Sequence, residues 1–409
     1  MKKLTLKSKR EGSILRLHPW VFSGGVAQED DDIKDGDLVE VFSSRGDYLA
    51  TGHYQDASIK VRIISFEQTE IDQHFWNKKI ADAKEVRSQI GFPKLSSDES
   101  QPDNGSTNCY RLIHAEGDGC PGLIIDVFAE TAIVQCHSIG MHRQIAEITT
   151  ALKTAFGEDL KCIYDKSKKA LPGNYARTME DGALFGEVAE EVAVLENGHS
   201  FLINYQTGQK TGFFLDQRDN RAFVGQYAKG KTVLNAFCYT GGFSIYALKA
   251  GAELVHSVDA SEKAINLCKS NVIENTPDIE NTPELVEKHE GYVADVNRFF
   301  KDTETTYDLI VLDPPAFAKS ISKRHNAVKG YKRLNAEAIR RIAPGGILFT
   351  FSCSQVIDRT LFQSTILAAA IEAGRQVRIL HHLSQPPDHP VSLFHPEGSY
   401  LKGLVLKVT

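Results

Sequence analysis

Ten residues, Asp308 to Phe317, read DLIVLDPPAF, and no other stretch constrains the fold as tightly. An apolar run stops at an acid, two prolines and an aromatic residue. Ile310 to Leu312 have the composition of a strand buried on both faces of a parallel sheet. The prolines, which have no N–H to donate, forbid further pairing at its carboxyl end. Asp313 is therefore presented into whatever crevice lies at that edge, which is where open α/β sheets bind ligands. A carboxylate held beside flat proline rings and Phe317 suits a planar, hydrogen-bonding group such as a nucleobase. The plainer alternative is a strand followed by a stiff turn.

The rest of the chain narrows the class. With 409 residues there is room for two or three domains, each burying its own core. A formal net charge of -6 excludes binding to nucleic acid by bulk charge, so any such binding must use local patches. The opening MKKLTLKSKREG is basic but lacks an apolar segment, and no run is long enough to span a bilayer, so a soluble, cytoplasmic protein is expected. The 7 cysteines show no CxxC spacing, which fits a reducing compartment and speaks against zinc.

Three regions follow one another. Residues 1–70 alternate short β-rich runs with Gly and Asp turns, as in a small barrel. This region opens with Lys2, Lys3, Lys7, Lys9, Arg10 and Arg16 against a single acid, Glu11, so its edge is either solvated or RNA-facing. Residues 71–186 read as a helix over Asp72 to Ile90, a polar tract over Pro93 to Asn108, a β-hairpin region, a helix over His142 to Phe156 and a strand at CIYDKS: a small α+β unit. Residues 187–409 alternate strands (TVLNAF, LVHSVD, GYVAD, DLIVLD, GILFTFS) with helices (SIYALKAG, EKAINLCKSNVIEN), the mark of a doubly wound parallel sheet. The tail adds VRILHHL and YLKGLVLKV, which would finish that sheet with an antiparallel pair. The twin tetrapeptides beginning at Glu274 and Glu280 are too short for a structural repeat and are read as surface loop.

In VLNAFCYTGGFSIYALKAG a buried strand gives way to Thr240-Gly241-Gly242 and then a helix, so that backbone can approach a ligand where side chains would obstruct. Asp259 ends the next strand, near the offset at which an acid meets ribose hydroxyls. GxGxxG is absent and there is no P-loop lysine, which excludes the ordinary nicotinamide nucleotide and ATP cradles. Asp295 and Asp313 end two further strands. Acids on successive strand ends with one Gly-rich loop resemble the S-adenosylmethionine pocket of Rossmann-like methyltransferases. That resemblance implies ribose contacts for Asp259, the adenine amine for Asp295, and a wall of Asn235, Phe237, Thr240 and Gly241 around the methionine part. Each acid taken singly could be no more than a helix cap.

The DPPAF string itself is similar to the DPPF-type signature of nucleic-acid methyltransferases. Together with HPWVFSG, KTGFFLDQRDNR, FCYTGGFS, KGYKRLN, FSCS and HPEGSYLKG, it resembles the bacterial ribosomal RNA large-subunit methyltransferases that make 5-methylcytosine. This likeness runs nearly the whole length. It implies an N-terminal PUA domain, a central α+β domain and a C-terminal Rossmann-like methyltransferase domain. It also implies that Gln217 and Arg218 line the cofactor pocket; from the residues alone, Asp216 reads as the N-cap of the helix that follows. Cys353, in GILFTFSCS, takes the role of nucleophile by the same resemblance, with Asp313 bonding to cytosine N3 in addition to its place at the cofactor. Free cysteines are more often small buried hydrophobes, and Cys238 is the rival thiol. DPPAF carries no cysteine, so the base for the final elimination lies elsewhere.

Between Ala316 and Asn335 the chain carries Lys319, Lys323, Arg324, Lys329, Lys332 and Arg333 with no acid. A solvated loop is the ordinary reading; its position after the substrate-facing strand favours a lip for RNA phosphates. Two other functions compete with cytosine methylation: transfer to a nitrogen of guanine or adenine, which DPPAF alone would fit, and a non-catalytic RNA-binding assembly factor. A homodimer is left open.

Overall fold

A computed structural model describes residues 1–93, 105–276, 284–318 and 320–409. Most of the polar tract after Pro93, Lys319, and all but the start of the twin tetrapeptides lie outside the described residues. The chain forms two compact units. One comprises Met1–Val194, Ile203–Leu215 and Pro387–Gly398; the other comprises Leu195–Leu202, Asp216–Pro386 and Ser399–Thr409.

The first unit holds two sheets. Six strands order as Trp20–Phe22, Ile59–Ser65, Tyr48–Tyr54, Leu38–Phe42, Lys2–Leu6 and Val26–Glu29. Leu38–Phe42 alternates inward and outward residues, as a strand with one buried face must, and Val39 and Val41 join Leu4, Val61 and Ile63 in the core. The second sheet orders as Gly182–Phe185, Cys162–Asp165, Thr131–Cys136, Leu123–Phe128 and Cys109–His114. The helix Gln73–Gln89 supplies Trp76, Ile80 and Ala83 to its core. Asp72 caps that helix, accepting from the Phe75 N–H at 2.9 Å.

The second unit is built on seven strands: β1 Thr232–Ala236, β2 Leu254–Asp259, β3 His289–Val293, β4 Tyr307–Leu312, β5 Ile342–Ser352, β6 Val377–Leu383 and β7 Lys402–Val408. Their order is β3-β2-β1-β4-β5-β7-β6. Only β7 runs against its neighbours, inserted between β5 and β6. The flanking helices are α1 Arg218–Ala228, α2 Gly242–Lys249, α3 Glu262–Glu274, α4 Val296–Asp302, α5 Arg324–Arg341 and α6 Arg359–Ala373. Leu309 to Leu312 are each 1% exposed or less, so β4 is covered on both faces, as its unbroken apolar run requires.

Parallel register gathers the chemistry on one edge. Ala236 pairs with Val258 on one side and Leu312 on the other, and Leu312 pairs with Thr350. Asp259, the last residue of β2, and Phe237, Asp313 and Cys353, each just beyond its strand, therefore emerge from the same carboxyl edge. The basic segment expected as a loop is instead mostly α5. Ala327, Tyr331, Leu334, Ala338 and Ile339 recur at helical spacing and bury one face, and this drives the helix despite its exposed cations.

Candidate active site

After β1 the backbone enters a conformation that side-chain-bearing residues seldom adopt. Phe237 and Tyr239 have φ of 61° and 47°, and Gly241 follows at 83°. Non-glycine residues in the left-handed region cost about 1–3 kcal/mol each and collect at functional sites. Gly241 is needed twice over, because a Cβ there would also lie 2.4 Å from the Cys268 Sγ. Asp259 holds the loop: one carboxylate oxygen accepts from the Tyr239 N–H at 3.1 Å, the other from the Ser261 N–H at 2.9 Å. A carboxylate offers about four lone-pair sites, so acceptor capacity remains for ligand hydroxyls.

Beneath the loop a buried polar chain joins β1 to β3. The Asn235 amide donates to Ser244 Oγ at 2.8 Å; Ser244 meets Ser257, and Ser257 meets His289 at 2.8 Å. Asn235 Oδ1 is buried with no hydrogen-bond partner among the described residues. Thr240 is buried, and its carbonyl accepts from Asn271 at 2.9 Å. Phe237 is half-buried against the sheet core. Beside β2 and β3 opens a cleft of about 740 Å³ lined by Ala260, Tyr292, Ala294, Asp295 and Phe299 among others. Asp295 is exposed and caps α4, accepting from the Arg298 N–H at 3.0 Å. The helix-cap alternative thus holds for Asp295.

A buried carboxylate that the sequence reading missed supports this site. Glu196, 0% exposed, accepts from Arg221 Nε at 2.7 Å and Nη2 at 2.5 Å, and from the Tyr246 hydroxyl at 3.0 Å. Burial, and then the Glu196 charge, push the Tyr246 phenol up, which keeps it a donor. Arg218 is buried with Nε 3.7 Å from the same carboxylate. Gln217 is buried and accepts from Asn220 at 2.6 Å. Asp216 does not cap α1, as had been expected: Gln217 stands at that position without a side-chain cap, and Asp216 accepts from the Tyr400 hydroxyl at 2.6 Å.

On the other side of β1, two loops are stitched together. Ser354 Oγ donates to the Ala318 carbonyl at 2.6 Å, tying the segment after β5 to the DPPAF turn. Phe317 packs against Tyr331 at 4.6 Å between ring centroids and lies close to Gly330, so its ring forms wall instead of standing free. Tyr331 is buried, and its phenol is pushed up to about 12 by burial and, with the opposite pull of Ser352, by the charges of Cys353 and Asp313. Asp313 is half-buried. Cys353 alone among the 7 cysteines is not buried. Its rival Cys238 lies against Cys268, and that hydrogen bond together with burial pushes its thiol well up. Cys238 thus belongs to the floor of the glycine loop.

The basic residues divide. Lys323 precedes α5 and Arg324 begins it; both are exposed, as are Lys329 and Arg333. The first turn of α5 has no acid, so cations stand at the positive end of the helix dipole, an arrangement that an anion would relieve. Lys332 turns instead to Glu372 on α6 at 2.7 Å. In the first unit Lys9, Arg10, Arg16 and the exposed Phe22 line a cleft of about 430 Å³. Lys7 is exposed and its Nζ donates to the Gly24 carbonyl at 3.2 Å, while Lys2 is neutralised by Asp32 and Asp37. One group there, His18, His395 and Glu397, brings possible metal-ligand atoms within 4.8 Å of one another.

Comparison with known proteins adds to this geometry. Residues 136–405 match the family described as S-adenosylmethionine-dependent methyltransferase, and residues 4–66 match the PUA-like domain. The chain is 42% identical over 408 residues to the ribosomal RNA large subunit methyltransferase I of Pseudoalteromonas atlantica, with 99% of each covered. It is 41% identical over 402 residues to that of Aeromonas salmonicida, with 97% of each covered. Among solved structures, a SAM-dependent methyltransferase from Streptococcus mutans superposes over 100% of both chains with a TM-score of 0.81 at 24% identity. A methyltransferase solved in complex with SAH gives a TM-score of 0.82, also at 24% identity and over 100% of both chains. These two likenesses speak to the fold.

Proposed function

The chain belongs to the S-adenosylmethionine-dependent methyltransferases, alongside the ribosomal RNA large subunit methyltransferase I proteins, and from that premise we propose that it methylates carbon 5 of a cytosine in large-subunit ribosomal RNA. S-adenosylmethionine, the family's cofactor, supplies an electrophilic methyl group. The residues present fit it. The left-handed loop ending at Gly241 admits a ligand close to backbone, the orphaned Asn235 Oδ1 awaits a donor, Asp295 borders the cleft that would take the nucleoside part, and Asp259 keeps acceptor capacity for its hydroxyls. Thr240, Phe237, Gln217 and Arg218 complete the wall in this reading.

The observation that carries the choice of cytosine carbon 5 is the accessibility of Cys353 at the strand end next to Asp313, with six other cysteines buried. Carbon 5 of cytosine is too weak a nucleophile to take a methyl group directly. A Cys353 thiolate adds to carbon 6, forming the S–C bond and breaking the 5,6 double bond. Asp313, sharing a proton with the base, hydrogen-bonds to N3 as negative charge develops there. The enamine so formed uses carbon 5 to take the methyl group. Loss of the carbon 5 proton to a base then expels Cys353 and restores the ring. Supplying RNA with radiolabelled cofactor and digesting to nucleosides should place the label in 5-methylcytidine. Label in a methylated guanosine or adenosine would overturn the assignment.

RNA would meet two basic surfaces: the exposed start of α5, and the cleft of the PUA-like domain bearing Lys9 and Arg10, with Lys7 nearby. We propose a cytoplasmic location, where large-subunit ribosomal RNA would be met. Replacing Lys323 and Arg324 with alanine together is expected to weaken RNA binding and to flatten the slope of log affinity against log salt by about 1.4, since each lost phosphate contact to a single strand removes about 0.7. Filter binding over a salt series reads both quantities. An unchanged affinity and slope would place the RNA elsewhere.

A further inference from the structure

Lys402 opens β7 directly opposite Ser352, the residue before Cys353. Its side chain is inside the protein, 5% exposed, and Nζ donates to the carbonyl of Ser354, the residue after Cys353, at 2.8 Å. Backbone pairing at Ser352 and the ammonium's bond at Ser354 thus fix Lys402 alongside the thiol-bearing turn. Among the described residues Lys402 makes no ion pair. A lysine taken out of water without a carboxylate is a rare arrangement, because desolvation penalises its charge heavily. The anion best placed to meet it is the one the reaction would create.

We propose that Lys402 is the counter-ion that holds Cys353 as a thiolate, which makes it a positioning residue for the nucleophile. The proposal rests on the reading of Cys353 given above. In forming the pair the Cys353 S–H bond breaks and its proton passes to solvent, while Lys402 remains an ammonium throughout and no redox change occurs. Burial pushes the Lys402 ammonium down to about 8, and the nearby Cys353 charge acts in the opposite direction to restore it. Attraction between two titrating groups is mutual, so the ammonium favours the thiolate equally. The other titratable or charged groups facing this spot are accounted for. Tyr331 on α5 stays neutral through the working range, and Asp313 faces the substrate in the mechanism. Asp358 caps α6 by accepting from the Leu361 N–H at 2.8 Å, and Arg359 donates to the Leu383 carbonyl at 3.3 Å.

The test is the pH dependence of iodoacetamide alkylation at Cys353 in the full-length protein, read by mass spectrometry of its peptide. Lys402→Gln, which keeps a donor toward Ser354, and Lys402→Met should each react about tenfold more slowly than the native protein at pH 7, with the curve displaced to higher pH. Lys402→Arg should stay close to native. If both neutral variants retain native circular dichroism and cofactor binding yet show the native alkylation curve, the counter-ion role is wrong. Should one of them fail to fold, the other carries the same comparison. If Cys353→Ala still methylates RNA while the Lys402→Gln curve is displaced, the ion pair stands and the nucleophile assignment falls.

Discussion

Cys353→Ala should lose methyl transfer to RNA by at least about 10⁴-fold, removal of a covalent nucleophile costing up to about 10⁶-fold in other enzymes, while binding the cofactor within a few-fold of native affinity. The separation follows from the sheet. The loop after β1 and the acids after β2 and β3 surround the cofactor in our reading, whereas Cys353 emerges after β5, beyond β4. Its loss removes no contact on the far side of β1. Serine should not rescue the activity, because an alcohol gives almost no alkoxide near pH 7. RNA carrying 5-fluorocytosine offers a second readout. Fluorine at carbon 5 cannot leave as a proton does, so the elimination stalls and the S–C6 bond persists. Native protein should then migrate with RNA on a denaturing gel, and Cys353→Ala should not. A Cys353→Ala variant that still made 5-methylcytidine would remove the thiolate mechanism.

Much of this site could be read from local sequence, and the reasons are physical. An unbroken apolar run ending in a helix-incompatible, strand-incompatible Pro-Pro pair has few alternatives, and β4 contains the expected Ile310 to Leu312, starts earlier at Tyr307 and stops just before Asp313. Acids at strand ends were visible because strand and acid are adjacent in sequence. The same holds for the glycine loop, which the Thr-Gly-Gly string marked between strand and helix, although the left-handed φ of Gly241 came only with the structure. Groups brought in from distant segments were not visible. Glu196 looked like one acid among several in EEVAVLENG, yet Arg221 buries it, 25 residues away. Lys402 lay in a plain strand pattern and matters only because β7 inserts beside β5. The basic stretch before Asn335 was read as a loop on charge alone. The spacing of Ala327, Tyr331, Leu334 and Ala338 held a helical signal that the lysines masked. Lys332 shows a further limit: charge counts do not tell which cations face a ligand and which face a neighbouring helix.

Glu196→Gln is expected to give the largest loss of stability, about 3–5 kcal/mol, the range found when one partner is removed from a buried ion pair. The substitution is nearly isosteric, so it opens no cavity; what it removes is the negative charge facing two buried guanidinium groups. Arg221 is 3% exposed and bound bidentately to Glu196, and Arg218 is 1% exposed with its Nε 3.7 Å from it. Neither guanidinium can lose its proton near neutral pH, so the system cannot relax by neutralising them. A glutamine oxygen could still accept from one guanidinium nitrogen, but its amide would present a donor to the other. The strain should reach the cofactor loop, because Arg221 packs so closely on Gly242, the first residue of α2, that a Cβ there would lie 2.8 Å from its Cδ. Urea unfolding should therefore show a lowered midpoint, and calorimetry a weaker cofactor affinity, although Glu196 itself has no assigned cofactor contact. Adding Arg221→Met to Glu196→Gln should return part of the lost stability, since an apolar side chain of similar length removes one of the buried cations. If Glu196→Gln alone costs less than about 1 kcal/mol, the ion pair is not what braces α2.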